Sequence, residues 1–181
     1  PDGVLMVDTQ FAPLTDRIVA AIRGISTEPI KFALNTHVHG DHSGGNSNLA
    51  AMGVTVMTRD ELRAGLAGSA NPPERLPMVT YDGPVTFYMN GEIVRAIPVP
   101  VAHTNGDTMV YFENADVLMT GDFYRSAGYP NIAIQNGGSL EGMLNGLGRV
   151  IGTSGPNTRI LPGHGPIVDR DAVRVHRDMM L

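Results

Sequence analysis

The chain has 181 residues, enough for one domain of ordinary size whose apolar core is shared between two or more layers. Thirteen Lys and Arg stand against eighteen Asp and Glu, a formal charge of −5, so no broad basic surface is offered to phosphate backbones and nucleic acid is not an expected partner. Neither a membrane-spanning apolar run nor a signal peptide is visible, and the absence of cysteine excludes disulfides, thiolate nucleophiles and cysteine-rich zinc sites, so a metal would have to be held by imidazole and carboxylate. Val4 to Val7 is a short apolar run ending at Asp8, and Phe32 to Leu34 is a second one ending at Asn35 and Thr36; both read as buried strands. Between them Leu14, Ile18, Ala21, Ile22 and Ile25 share one face at helical spacing, with Thr15 or Asp16 placed to cap the start.

A second short helix is expected near Gly45 to Ala51, then a strand over Val54 to Thr58 and helical sequence over Arg59 to Leu66. Asn71 to Pro77 reads as a proline-rich loop. From Val85 the character changes, because Val85 to Tyr88 and Ile93 to Val99 flank Asn90-Gly91, the strongest short hairpin signal. Met109 to Phe112 and Val117 to Met119 repeat the hairpin pattern around Glu113 to Asp116. Leu140, Met143, Leu144, Leu147, Val150 and Ile151 make an amphipathic helix that Ser139 can cap. Arg159 to Leu161 is a last strand, and Asp169 or Asp171 opens a terminal helix. The alternation predicts a layered α/β arrangement, two sheets packed together with helices outside.

The chemistry concentrates at strand ends. Thr36-His37-Val38-His39-Gly40-Asp41-His42 places three imidazoles and a carboxylate directly after a strand, with His37 and His39 on one side of an extended segment and Gly40 free to turn the chain. His103, Asp122 and His164 stand in the same setting, each after an apolar strand and beside glycine or a turn. Lone histidines are more often packing or surface residues, which is how His176 on the polar terminal helix is read. The cluster is different, because closely spaced polar groups behind a buried strand carry desolvation costs of several kcal/mol unless something such as a cation pairs with them.

In order, Asp8, the run His37-x-His39-x-Asp41-His42, His103, Asp122 and His164 resemble the metallo-β-lactamase superfamily, in its glyoxalase II-like and lactonase-like branch, over nearly the whole chain. The resemblance implies an αββα sandwich in which His37, His39 and His103 bind one metal, Asp41, His42 and His164 bind the other, and Asp122 bridges them. It also implies one hydrolase domain over 1–181 that lacks the strands members carry before the one ending at Asp8, and the helices many add after the last. Members that cleave β-lactams commonly carry another residue where Asp122 stands, which argues against a dedicated antibiotic-degrading role. Many members end the turn after the third histidine in a further histidine, where this chain has Asp107.

Two divalent ions about 3.5 to 4 Å apart lower the pKa of a shared water and polarise a substrate oxygen. Asp41 is the expected catalytic residue, orienting that water and shuttling its proton, with charge balance at the metal as a compatible role. Zinc suits the ligand set, two ions per chain, although iron, manganese or cobalt are also accepted by it. Tyr124 and Arg125 are candidate substrate-binding residues, set against a packed tyrosine and a solvated arginine. The expected substrate is a small molecule: an ester, lactone or thioester, with β-lactam as a side activity. Phosphodiester hydrolysis, a mononuclear iron persulfide dioxygenase and a non-catalytic metal-binding module are the alternatives. Oligomeric state and compartment, cytoplasmic or periplasmic, are not legible.

Overall fold

A computed structural model of the chain describes residues 1–68 and 76–181, so most of the expected proline-rich loop lies outside the described residues. Two compact units are present: Pro1–Asp82 with Met89–Gly91, and Gly83–Tyr88 with Glu92–Leu181.

The first unit is a parallel sheet of β1 (Val4–Val7), β2 (Ile30–Leu34), β3 (Thr55–Arg59) and β4 (Val79–Tyr81) in that order. Parallel neighbours cannot be joined by a tight turn, so each pair is linked by helix. These are α1 (Thr15–Arg23), then α2 (Gly40–Ser43) with α3 (Asn46–Ala51), then α4 (Asp60–Gly68). Ala33 on β2 pairs in register with Val56 on β3, and both bury with Val19, Leu49 and Val54. The strands match expectation to within two residues, β2 beginning at Ile30 rather than Phe32, except β4, whose three residues are too few to show a period. Helix α1 corrects another expectation: neither Thr15 nor Asp16 caps it. A 3-10 turn over Ala12–Leu14 with Pro13 leads straight into the helix, and Thr15 Oγ1 donates back to Ala12 O.

The second unit is a five-stranded sheet in the order β5 (Val85–Met89), β6 (Glu92–Pro98), β7 (Thr108–Phe112), β8 (Val117–Gly121), β9 (Arg159–Pro162). Asn90 and Gly91 both take positive φ, 54° and 75°, the pair of conformations a two-residue type I′ hairpin requires. β6–β7 and β7–β8 are antiparallel; β9 returns parallel to β8 after the long helix α5 (Leu140–Thr153). Ser139 caps α5 by accepting the Gly142 N–H, and Asp169 caps α6 (Arg170–Met180) by accepting that of Ala172, both as expected. Met143, Leu147 and Val150 from α5 and Val173 from α6 bury with Met109, Leu118 and Ile160 of the sheet. Truncating the fully buried Leu147 to Ala would cost about 2–5 kcal/mol. The fold class is therefore the expected mixed α/β with two sheets. No helix among the described residues is long and apolar enough to cross a membrane.

Candidate metal centre

The first unit supplies four donors from one short stretch. His37 and His39 follow β2, with His37 Nε2 and His39 Nδ1 3.2 Å apart. Asp41 and His42 ride on the single turn of α2, Asp41 Oδ2 facing His42 Nε2 at 3.5 Å. The His37 and His42 rings are tilted against each other with centroids 4.1 Å apart. So many imidazole and carboxylate atoms in one place favour a cation among them.

Asp8 sets the orientation of this half-site, a task the sequence does not announce. It follows β1 with φ 60°, a conformation uncommon outside glycine and best tolerated by Asp and Asn. Its Oδ1 accepts the Thr36 N–H at 2.7 Å, and its Oδ2 accepts both the Thr36 hydroxyl at 2.8 Å and His42 Nδ1–H at 2.7 Å. Since the Thr36 proton points to Asp8, the 3.1 Å contact between Thr36 Oγ1 and His37 Nδ1 has the ring donating. One carboxylate thereby fixes the tautomer of two histidines, directly and through Thr36, and directs Nε2 of each away from it. Ligating histidines characteristically use their second nitrogen in this way.

Gly40 does not make the tight turn expected of it. It opens α2, and a Cβ there would meet only the Phe11 ring at 3.7 Å. Crowding falls one turn later, where a Cβ on Gly45 would lie 2.4 Å from Thr9 O.

The second unit supplies three donors from three loops. Asp122 Oδ2 lies 3.2 Å from His164 Nε2 and 3.7 Å from His103 Nε2, so one carboxylate oxygen stands between two imidazoles. His103 Nδ1–H donates to Asn131 O at 2.6 Å, again leaving Nε2 turned to the acid. The His103 backbone is clamped as well: its carbonyl accepts from Ala133 N–H, while Ser139 N–H holds Ala102 O and Ser139 Oγ holds Val101 O. The loops of Asp122 and His164 are stitched together by main chain. Gly163 N–H donates to Gly121 O, and Ser126 N–H donates to His164 O. A Cβ on Gly163 would stand 1.9 Å from Asp122 Oδ1 and 2.7 Å from the Gly121 carbonyl carbon, so only glycine lets the two loops close. Asp107 is nearly fully buried and closes its own turn, accepting the Thr104 N–H at 2.9 Å and hydroxyl at 2.7 Å.

Tyr124 is 2% exposed, packed in the core of the second unit with its ring edge-on to His176 at 5.1 Å. Burial pushes its phenol pKa up, and Asp169 adds to this. Arg125 folds back so that Nε donates to Ala127 O. His176 is half-buried against the Tyr124 ring, within the packing or surface role read for it, and burial lowers its pKa.

Both half-sites thus carry nitrogen and oxygen donors and a carboxylate, with tautomers preset by neighbouring oxygens. The family profile described as the metallo-beta-lactamase superfamily matches residues 1–164. The chain belongs to that superfamily. Among relatives of this superfamily member, a hydroxyacylglutathione hydrolase of Methylococcus capsulatus is 35% identical over 118 residues, covering 65% of this chain and 41% of that protein. The lactamase-like protein aptB of Emericella nidulans is 28% identical over 166 residues, 91% of this chain and 48% of that one. The chain spans about half the length of such relatives. A solved metallo-beta-lactamase from Pontibacter korlensis superposes with a TM-score of 0.87 at 22% identity, covering 99% of this chain and 82% of that chain, which establishes the shared fold.

Proposed function

We propose that this protein is a two-cation hydrolase acting on an acyl compound, with a thioester or ester as first choice. In this reading the half-sites combine: His37, His39 and His103 hold one cation, Asp41, His42 and His164 the other, and Asp122 serves both. The observation that carries it is Asp122 Oδ2 between His103 and His164, two residues assigned to different cations. The all-imidazole and carboxylate donor set suits zinc, and equally iron or manganese. When bound, such cations supply Lewis acidity, which acidifies water and polarises a carbonyl oxygen.

The chain's own contribution is orientation and proton transfer. Asp8 holds His42 directly and His37 through Thr36, and Asn131 O holds His103, in the tautomer that offers Nε2. The Asp41 carboxylate is about a quarter exposed and adjoins His42, which suits it to accept the proton of the attacking water. As water oxygen bonds to the acyl carbon and the carbon–sulfur or carbon–oxygen bond breaks, Asp41 returns that proton to the departing group. Tyr124, sealed in the core, suits packing better than substrate contact, and the half-buried Arg125 is the more accessible of the two candidates. The hydroxyacylglutathione hydrolase name among the relatives favours an acyl substrate.

The test is turnover of a thioester, a lactone, a bis-phosphodiester and a β-lactam by zinc-loaded protein. Thioester or ester cleavage should dominate and disappear in His39→Ala with folding intact. Dominant phosphodiester cleavage, or oxygen uptake by protein holding a single iron, would overturn the reading.

A further inference from the structure

We propose that Asn46 is a positioning residue for the second cation site, acting through the main-chain carbonyl of His42; this rests on the two-cation reading above. The carbonyl of His42 accepts the Thr9 N–H at 2.7 Å and the Asn35 side-chain amide at 2.9 Å. Asn35 Oδ1 in turn accepts Asn46 Nδ2–H at 2.7 Å, and Asn46 Oδ1 accepts the Thr9 hydroxyl at 2.9 Å. Thr9 Oγ1 also accepts the Gly45 N–H at 3.1 Å. The result is a closed ring of hydrogen bonds through Thr9, Asn46, Asn35 and His42, with the three polar side chains 1%, 4% and 0% exposed.

The amide orientations in this ring are not free. A carbonyl cannot donate, so Asn35 must present its NH2 to His42 and its oxygen to Asn46. Asn46 must then present its own NH2 to Asn35 and its oxygen to Thr9. Each amide has one orientation that satisfies its buried neighbours, while the Thr9 hydroxyl also lies 3.2 Å from His42 O as a second acceptor, and such networks specify geometry because a half-satisfied alternative is costly.

The element held this way is one that cannot hold itself. Helix α2 has four residues, too few for a helix to persist on its own hydrogen bonds, yet it carries both Asp41 and His42. The His37 and His39 side chains are not part of the ring; His39 meets α2 through its carbonyl, which accepts the His42 and Ser43 N–H groups, while Asp41 and His42 ride on the helix itself. Asn46 therefore acts mainly on the site of Asp41 and His42.

Metal-free protein titrated with zinc by calorimetry tests this. Wild type should take up two zinc ions per chain in separable steps, with His42→Ala and His39→Ala identifying which step belongs to which site. Asn46→Ala should weaken the His42 step by about tenfold to a hundredfold and leave the other within about threefold. Thr9→Val, which keeps the shape and removes the hydroxyl, should do the same, and Thr9→Ser should restore the affinity, so the test survives if Asn46→Ala does not fold. Equal weakening of both steps, or unchanged zinc affinity with only a lower melting temperature, would overturn the proposal. Wild type binding fewer than two zinc ions would sink the two-cation reading itself, and this inference with it, before any variant is made.

Discussion

The two half-sites hold their donors by opposite means. In the first unit four donors come from six consecutive positions, and side chains distant in sequence hold them: Asp8 grips His42 and, through Thr36, His37. In the second unit three donors come from three separate loops, and apart from Ser139 Oγ on Val101 O the holding atoms are main chain: Asn131 O on His103, Ser126 N–H on His164 O, Gly163 N–H on Gly121 O. The turn of the contiguous cluster is braced locally by Ser43 Oγ on the Val38 and His39 carbonyls, but the His37 and His42 tautomers are set from outside by Asp8. Dispersed donors at strand ends are already placed by the sheet and need only their loops locked. The first half-site should therefore be fragile to changes of side-chain polarity, and the second to any atom added between backbones.

Gly163→Ala should have the largest effect on the second half-site. The Asp122 carboxylate could rotate away from the new methyl group, but that removes it from His164, and the Gly121 carbonyl cannot move without breaking β8. A stability loss of about 1–3 kcal/mol or more is expected from the overpacking, together with weakening of both zinc steps, since Asp122 is proposed to serve both cations. Gly152→Ala is the control, since nothing lies within 4 Å of its Cβ position inside α5. It should be neutral or stabilising by up to about 1 kcal/mol, as alanine favours helix. Thermal melts of both variants with and without zinc check this, and equal behaviour would break the contrast.

Asp8→Asn is the matching strike on the first half-site. Asparagine tolerates the positive φ, so the backbone is spared and only hydrogen-bond polarity changes. The Thr36 N–H requires an oxygen, which turns the new NH2 toward His42 Nδ1 and the Thr36 hydroxyl. Nδ1 must then accept, placing the proton on Nε2, the atom proposed to ligate. Zinc affinity should fall by about tenfold to a hundredfold, and at both steps because His37 is affected through Thr36. That breadth separates it from Asn46→Ala.

How much of this was legible in the sequence divides along the same line. The run from His37 to His42 is readable because its spacing is unusual, and His103, Asp122 and His164 because each stands just beyond an apolar strand. Asp8 is visible as a motif position, but its grip on two tautomers depends on a contact across more than thirty residues. Asn46 sits in a short helix among small residues, and nothing local marks its link to Thr9 and Asn35. The Asn131 carbonyl is invisible in principle, since every residue has one. Gly40 drew attention through its place in the motif, whereas crowding that requires glycine lies elsewhere, at Gly45 and Gly163 among other positions, where other chain segments approach.

Asn131→Ala is the smallest effect expected and the sharpest discriminator. His103 is as buried as any donor, and its Nδ1 hydrogen bond to residue 131 is 2.6 Å. If side chains held the second half-site as they hold the first, removing this one would weaken zinc binding as Asp8→Asn does. The acceptor is instead the main-chain oxygen, which alanine retains, and the residue is exposed. Stability should therefore change by less than about 0.5 kcal/mol and both zinc steps should be unaltered. A tenfold loss in the calorimetric titration would show that the second half-site also depends on side-chain polarity, and the distinction between the two means of support would fall.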